Sequence, residues 1–237
     1  MYRERRSRLE GAVVWSRTGT AGGRARVLPD GCMDLLLWNG RLVVAGPDTR
    51  AHLVVEEPGD RFAGLRLRPG AGPSVFGVRA HELRDQRVPL GALWPEREVR
   101  LLTERVSGAR DPGLALESVV ARRLTECPYD GADVTARALT GTVLELLGRG
   151  RPVADVARAV GLGERQLHRR SLDAFGYGPK TLARVLRMRR ALALATGGTS
   201  LAEVAARAGY ADQAHLSREV RALAGAPVTE LLGARRP

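Results

Sequence analysis

The side chains best suited to a common chemical task lie in the last third of the chain. Arg165, Gln166, His168 and Arg169 follow one glycine turn, and Gln213, His215, Ser217 and Arg218 follow another. The two sets contain no paired carboxylates, no thiol and no Ser–His–Asp arrangement. They are donors and acceptors that match base edges and phosphate oxygens. Charge points the same way. The chain of 237 residues carries a formal net charge of +12, and residues 151–237, with 15 basic and 7 acidic side chains, hold +8 of it. A segment with that balance attracts polyanions, nucleic acid first among them.

The elements that would position these side chains form an internal repeat. Val156-Ala157-Arg158-Ala159-Val160-Gly161-Leu162 matches Val204-Ala205-Ala206-Arg207-Ala208-Gly209-Tyr210, and Leu167-His168-Arg169 matches Leu216-Ser217-Arg218. Gly176-Tyr177-Gly178-Pro179 then answers Gly225-Ala226-Pro227. Each unit reads as a short helix, a glycine turn, a second helix and a stop, which is the helix-turn-helix pattern. Ala157 and Ala205 allow close helix approach, and Gly161 and Gly209 sit where a positive φ is needed. Ser200 with Glu203 predicts a capping box, and Asp212 an N-cap; the equivalent place in the first unit holds Gly163, a weaker cap. Between the units, Lys180–Ala195 reads as one helix, apolar along Leu182, Val185, Leu186, Leu192 and Ala195. Its cations, Lys180, Arg184, Arg187 and Arg190, are expected on the DNA backbone or as internal tethers. A joining helix of this kind would hold two readers about 34 Å apart, one turn of DNA.

The N-terminal part reads differently. Val13–Trp15, Ala25–Leu28, Leu35–Trp38, Leu42–Val44, Leu53–Val55 and Leu65–Leu67 are short apolar or alternating runs separated by turn residues. Asn39-Gly40 predicts a type I′ hairpin. Trp15, Leu35, Leu37, Val43, Val54, Phe62 and Leu67 are the candidate interior. Helices are predicted over Glu98–Val106, Leu114–Thr125 and Ala132–Leu147. The expected fold class is therefore α+β: a β-rich sandwich or barrel-like domain over 1–94, a helical connector over 95–150, and an all-α double helix-turn-helix domain over 151–237.

Other chemistries fit the sequence poorly. His52, His81, His168 and His215 are scattered, so no metal site is expected. Gly178-Pro179-Lys180-Thr181 lacks the first glycine of a phosphate loop, and Pro179 removes an amide donor. Gly72-Pro73-Ser74-Val75-Phe76 lacks the second glycine of a nucleophile elbow. Cys32 is the exception that needs weighing, because a reactive thiol joined to a DNA reader would make an alkyl-transfer or repair protein. Its neighbours Asp30 and Asp34 would raise its pKa, whereas a reactive thiolate needs cationic company. Two cysteines, Cys32 and Cys127, exclude a disulfide framework. No apolar run reaches the ~20 residues of a membrane helix, and the basic start, Met1–Arg8, is not followed by a secretion signal. No catalytic residue, metal or cofactor is expected, and the expected location is the cytoplasm.

Residues 152–232 resemble the AraC/XylS-type DNA-binding domain. Gly209-Tyr210-Ala211-Asp212-Gln213-Ala214-His215-Leu216-Ser217-Arg218 is closely similar to that family's second reading helix. Ser171 and Val220 depart from it, since the family usually has Phe at both; these are core positions, so the departures bear on packing. Leu28-Pro29-Asp30-Gly31-Cys32-Met33-Asp34-Leu35, Ala45-Gly46-Pro47-Asp48-Thr49 and Arg66-Leu67-Arg68-Pro69-Gly70 resemble the N-terminal half of one subgroup of such regulators. The resemblance implies a two-domain bacterial transcription regulator that binds a double-stranded DNA operator. A small-molecule effector in the β-rich domain and a homodimer are the further partners to expect; the alternative is an N-terminal domain that only dimerises.

Overall fold

The computed structural model describes residues 2–19, 23–126 and 132–233. Six strands form one antiparallel sheet in the order β1 (Tyr2–Arg6), β2 (Val13–Thr18), β7 (Arg61–Arg66), β4 (Asp34–Trp38), β5 (Arg41–Ala45), β8 (Arg87–Pro89). β3 (Arg24–Val27) and β6 (His52–Val55) pair separately as a two-stranded ribbon. The α+β class expected from the sequence is what the chain adopts, with the strands divided between a sheet and a ribbon. Asn39 and Gly40 take φ of 45° and 77°, the positive pair that a type I′ turn between β4 and β5 requires. β1 had no sequence signal: YRERR is mostly charged and exposed at every position, as suits a sheet edge that must not pair further.

Side-chain alternation sends Leu35 and Leu37, Leu42 and Val44, and Leu65 to one face of the sheet. There they share a core with α1 (Gly72–Phe76), α2 (Glu96–Ser107) and α3 (Pro112–Glu126) through Phe76, Leu102, Val106, Leu116, Val119 and Val120. The opposite face carries Trp15, Leu36, Phe62, Arg66 and Asp34. Trp15 lies flat across Gly64, in space that any side chain there would fill. Of the candidate interior residues, Leu35, Phe62 and Leu67 are buried; Trp15, Leu37, Val43 and Val54 are half-buried.

A second core gathers α4 (Ala132–Gly148), α5 (Val153–Ala159), α6 (Glu164–Phe175), α7 (Pro179–Ala195), α8 (Leu201–Ala208), α9 (Gln213–Ala224) and α10 (Val228–Gly233). α7 runs through its middle and buries Leu182, Val185, Met188, Ala191, Leu192 and Ala195. Met188 takes a deep place expected of Leu186, which is only partly buried.

The helices expected as a connector over 95–150 do not form one. α2 and α3 close the sheet's core, while Val143 and Leu147 of α4 belong to the second core. An apolar stripe fixes that a helix is buried, but not against which partner. Cys127 lies outside the described residues.

Candidate nucleic-acid interface

α6 and α9 are positioned by their own apolar faces. Leu167, Ser171 and Phe175 of α6, and Leu216, Val220, Leu223 and Ala224 of α9, are buried. Residues two places from each anchor must then point outward at ~100° per residue. Arg169 follows Leu167 by two and Arg218 follows Leu216 by two, so the two guanidinium groups occupy equivalent outer positions. Arg165, Gln166, His168, Arg169, Gln213 and Arg218 are exposed, and His215 and Ser217 are half-buried. Arg221, one turn beyond Arg218, is also exposed. The sequence reading missed it, although i+3 spacing on one helix face is the signal.

The turns behave as their residues require. Gly161 and Gly209 have φ of 67° and 84°, a conformation costly for any side chain. Asp212 caps α9, its Oδ1 accepting the His215 N–H at 2.6 Å. Ser200 caps α8 in the same way, accepting the Glu203 N–H at 3.3 Å. Gly163 has no side chain to cap the first amides of α6; Gln166 makes only the reciprocal bond, its Oε1 accepting the Gly163 N–H at 3.1 Å. That leaves the Gln166 amide NH2 to donate outward. His215 accepts the Ala211 N–H on Nδ1 at 3.3 Å, so the neutral ring carries its proton on Nε2. Its edge meets the Tyr210 ring at 5.3 Å, and the Arg187 guanidinium lies over that ring at 4.6 Å.

The cations of α7 divide into two groups. Arg184 donates to Glu219 Oε1 at 2.8 Å and Arg187 to Glu219 Oε2 at 2.7 Å, tying α7 to α9. Burial pushes the Glu219 carboxyl up, but the bonds from Arg187 and Arg184 outweigh it and hold the group below the usual carboxylate range. Lys180 and Arg190 are exposed. Lys180, Arg165 and His168 line a shallow hollow of about 380 Å³ at the start of α7. His168 packs closely on Gly178, where an added Cβ would lie 2.5 Å from its ring. Among the described residues, Arg165, Arg169, Arg190, Arg218 and Arg221 have no acidic partner. Ser171 and Val220 lie in the core, as expected, with exposures of 1% and 0%; the Ser171 hydroxyl has no hydrogen-bond partner among the described residues.

Residues 137–234 match the model of a family described as a helix-turn-helix domain. That segment holds both units, the joining helix and α4. It is an AraC-type helix-turn-helix domain. A chain built on the AraC-type domain is a DNA-binding transcription regulator. Residues 12–89 match a second family, described as a domain of unknown function (DUF6597).

Similar solved structures include a probable AraC family transcriptional regulator from Rhodopseudomonas palustris CGA009. It is 23% identical over 42% of this chain and 99% of that one, with a TM-score of 0.36. ToxT from Vibrio cholerae strain SCE256, bound to an unsaturated fatty acid, is 12% identical over 96% of this chain and 97% of that one, with a TM-score of 0.50. ToxT from Vibrio cholerae O395 is 11% identical over 94% and 96% of the two chains, with a TM-score of 0.46. The likeness to ToxT is one of fold. No curated protein matches the chain.

The AraC-type domain is not free of the N-terminal half. Arg189 of α7 meets Asp30 at 3.4 Å, and Arg66 meets Asp30 at 3.3 Å and Asp34 at 3.5 Å. Burial pushes Asp34 up to about 6, against the pull of Arg66. Cys32 sits among these groups; burial, Asp30 and Asp34 push its thiol well above the ordinary value, and Arg66 and Arg189 only partly oppose them. Among the described residues no group of three or more His, Cys, Asp or Glu side chains could hold a metal ion, and no helix is long and apolar enough to cross a membrane.

Proposed function

We propose that the chain binds a two-part operator, with the outer face of α6 on one half-site and that of α9 on the other. The observation that carries this reading is the division of the arginines. Arg184 and Arg187 are paired with Glu219 across the α7–α9 contact. Arg165, Arg169, Arg218 and Arg221 stand exposed on the two reading helices with no acidic partner among the described residues. Unpaired, outward guanidinium groups on matched turns suit guanine edges and phosphates. Arg169 and Arg218 are assigned to base reading, with Gln166, His168, Gln213, His215 and Ser217 beside them. Arg165 and Arg221 flank them, and Lys180 and Arg190 neutralise phosphates.

The protein binds without catalysing. The Cys32 thiol is held in its protonated form, the opposite of a nucleophile's setting. A small molecule acting through the N-terminal domain would change operator affinity by its differential affinity for two arrangements of the chain, and by no more. ToxT, a fold relative, has a fatty acid bound. In this chain a hollow of about 270 Å³ opens between α2 and α3, floored by Trp94, Leu102 and Val119 and edged by Arg105 and Arg123. Homodimers in the cytoplasm, where operator DNA is met, complete the reading.

The test is selection of binding sites from a random duplex pool with the full-length chain, followed by titration in salt. The expected result is two half-sites about one helical turn apart, with a log–log salt slope of about −0.9 per phosphate contacted. A folded chain that selects no sequence, or a single short site, would overturn the two-reader reading. A thermal-shift screen of small molecules, with any hit carried into operator titration, tests the effector. A stabilising hit that leaves operator affinity unchanged counts against it.

A further inference from the structure

The far end of α9 is not finished by its own unit. The last carbonyls of a helix lack intrahelical donors and must find others. Ala224 O accepts from Arg26 Nη1 at 2.8 Å, and Leu223 O accepts from the Ala51 N–H at 2.7 Å. Arg26 belongs to β3, 198 residues away in sequence, and Ala51 immediately precedes β6. Val27 pairs with His52, so both donors stand at the same end of the two-stranded ribbon. The second arm of Arg26, Nη2, reaches Glu230 of α10 at 3.2 Å. One guanidinium thus spans α9 and α10. Its charge also sits at the negative end of the α9 dipole, where a cation is favourable.

We infer that the β3–β6 ribbon positions the second reading helix, and that Arg26 is the positioning residue that fixes the distance and angle between the two readers. Resting on the two-reader proposal above, this adds a second support to α7. α7 sets how far apart the units stand, and the ribbon, anchored in the N-terminal half, stops α9 and α10 from pivoting on it. The first unit meets the same half through a different contact: Gly176, just past α6, is pressed against Pro47, and its carbonyl faces Arg84 Nη1 at 3.5 Å. Both readers therefore touch the N-terminal half, α9 through the ribbon and α6 through Pro47 and Arg84. Any change in the N-terminal half that moves the ribbon moves α9 relative to α6.

The positioning role has a signature that lost stability lacks. Each base pair added between half-sites turns the second one by about 34° and moves it about 3.4 Å. A rigidly held pair of readers therefore tolerates one spacing. The full chain, Arg26→Ala, Arg26→Lys and the control Arg24→Ala are titrated against operators whose half-sites are moved apart or together by one or two base pairs. Arg24 lies on the same strand, exposed. Wild type and Arg24→Ala should prefer the native spacing at least tenfold. Arg26→Ala should bind all spacings within about threefold of one another, and Arg26→Lys should restore part of the preference. Amide exchange without DNA should be faster in Arg26→Ala at the end of α9 and in α10, and unchanged in α6. Unaltered exchange, or faster exchange with spacing preference intact, overturns the inference. If wild type selects no two-part operator, the two-reader reading falls, and this inference falls with it. A wild type that selects one while Arg26→Ala keeps its strict spacing removes the inference alone.

Discussion

α6 and α9 carry Arg169 and Arg218 on matching turns, yet different forces hold the two helices. α9 begins on a charged cap, Asp212, and is tied at its middle by Glu219 to two arginines of α7. Its end is finished by Arg26 and Ala51. α6 begins on Gly163, buries Ser171 without a hydrogen-bond partner among the described residues, and ends at Gly176 in tight contact with Pro47. Both helices bury an apolar face, but the second reader adds bonds from Arg184, Arg187 and Arg26, whereas the first adds one weak ion pair, Asp173 with His81 at 3.4 Å, and the tight Gly176–Pro47 contact. A repeated sequence motif thus specifies two matched outer faces, while each copy draws its support from whatever surrounds it.

The matched glycines that end the helices break this comparison most severely. Gly176 has φ +80° and no room for a Cβ beside Pro47, whereas Gly225 has φ +66° and one close atom, Arg26 Nη1 at 3.1 Å, which need shift by only a few tenths of an ångström. Gly176→Ala should cost about 3 kcal/mol, backbone strain plus overpacking, and Gly225→Ala about 1 kcal/mol, strain alone. Denaturant unfolding of the two variants measures the gap, and equal costs would mean that the first unit is not packing-limited.

Glu219→Gln should destabilise by about 2 kcal/mol, since Arg184 and Arg187 lose a charged acceptor. Amide exchange should quicken in α9 and leave α6 unchanged. Uniform quickening would place Glu219 in the global core rather than in the second reader's support.

Asp34 tests the support the two readers share. Its folded pKa, about 6, lies above the ordinary value of 3.8. Its contribution to stability is therefore fully present below about pH 3.8 and is lost as pH rises through about 6. Between pH 4 and pH 7 the wild type should lose about 2 kcal/mol relative to Asp34→Asn, a little under two pKa units at ~1.4 kcal/mol each. α6 and α9 should lose protection together, because Arg66 links Asp34 to Asp30, and Asp30 holds α7 through Arg189. A pH profile parallel to that of Asp34→Asn would remove the assignment.

The caps should give the smallest effects. Asp212→Ala should cost about 1 kcal/mol, and Gly163→Asp should gain a few tenths. Thermal melts resolve both, and a loss at Gly163→Asp would show that the first turn of α6 does not take a side-chain cap.

What the sequence made legible was local. Asn39-Gly40, Gly161, Gly209, Ser200 and Asp212 act through their own backbones or residues three away, so their roles could be read directly. β1 could not be, because a charged edge strand has no apolar alternation. The partition of α2 and α3 from α4 depends on which core each stripe meets. The roles of Arg184 and Arg187 depend on Glu219, 35 and 32 residues away. Arg26 was invisible for the same reason, at 198 residues. The exposure of Arg165, Gln166, His168, Arg169, Gln213 and Arg218 was legible because helical period decides it, as it does for Arg221; His215 and Ser217 are half-buried.

The central claim is that two matched arginines read two different half-sites. Site selection from a random duplex pool with the full-length wild type, Arg169→Ala and Arg218→Ala tests it directly. Each variant should lose about 1–3 kcal/mol of discrimination at a base in one half-site and keep the other half-site intact. Uniform weakening across all sequences, or loss at the same base in both variants, would contradict it.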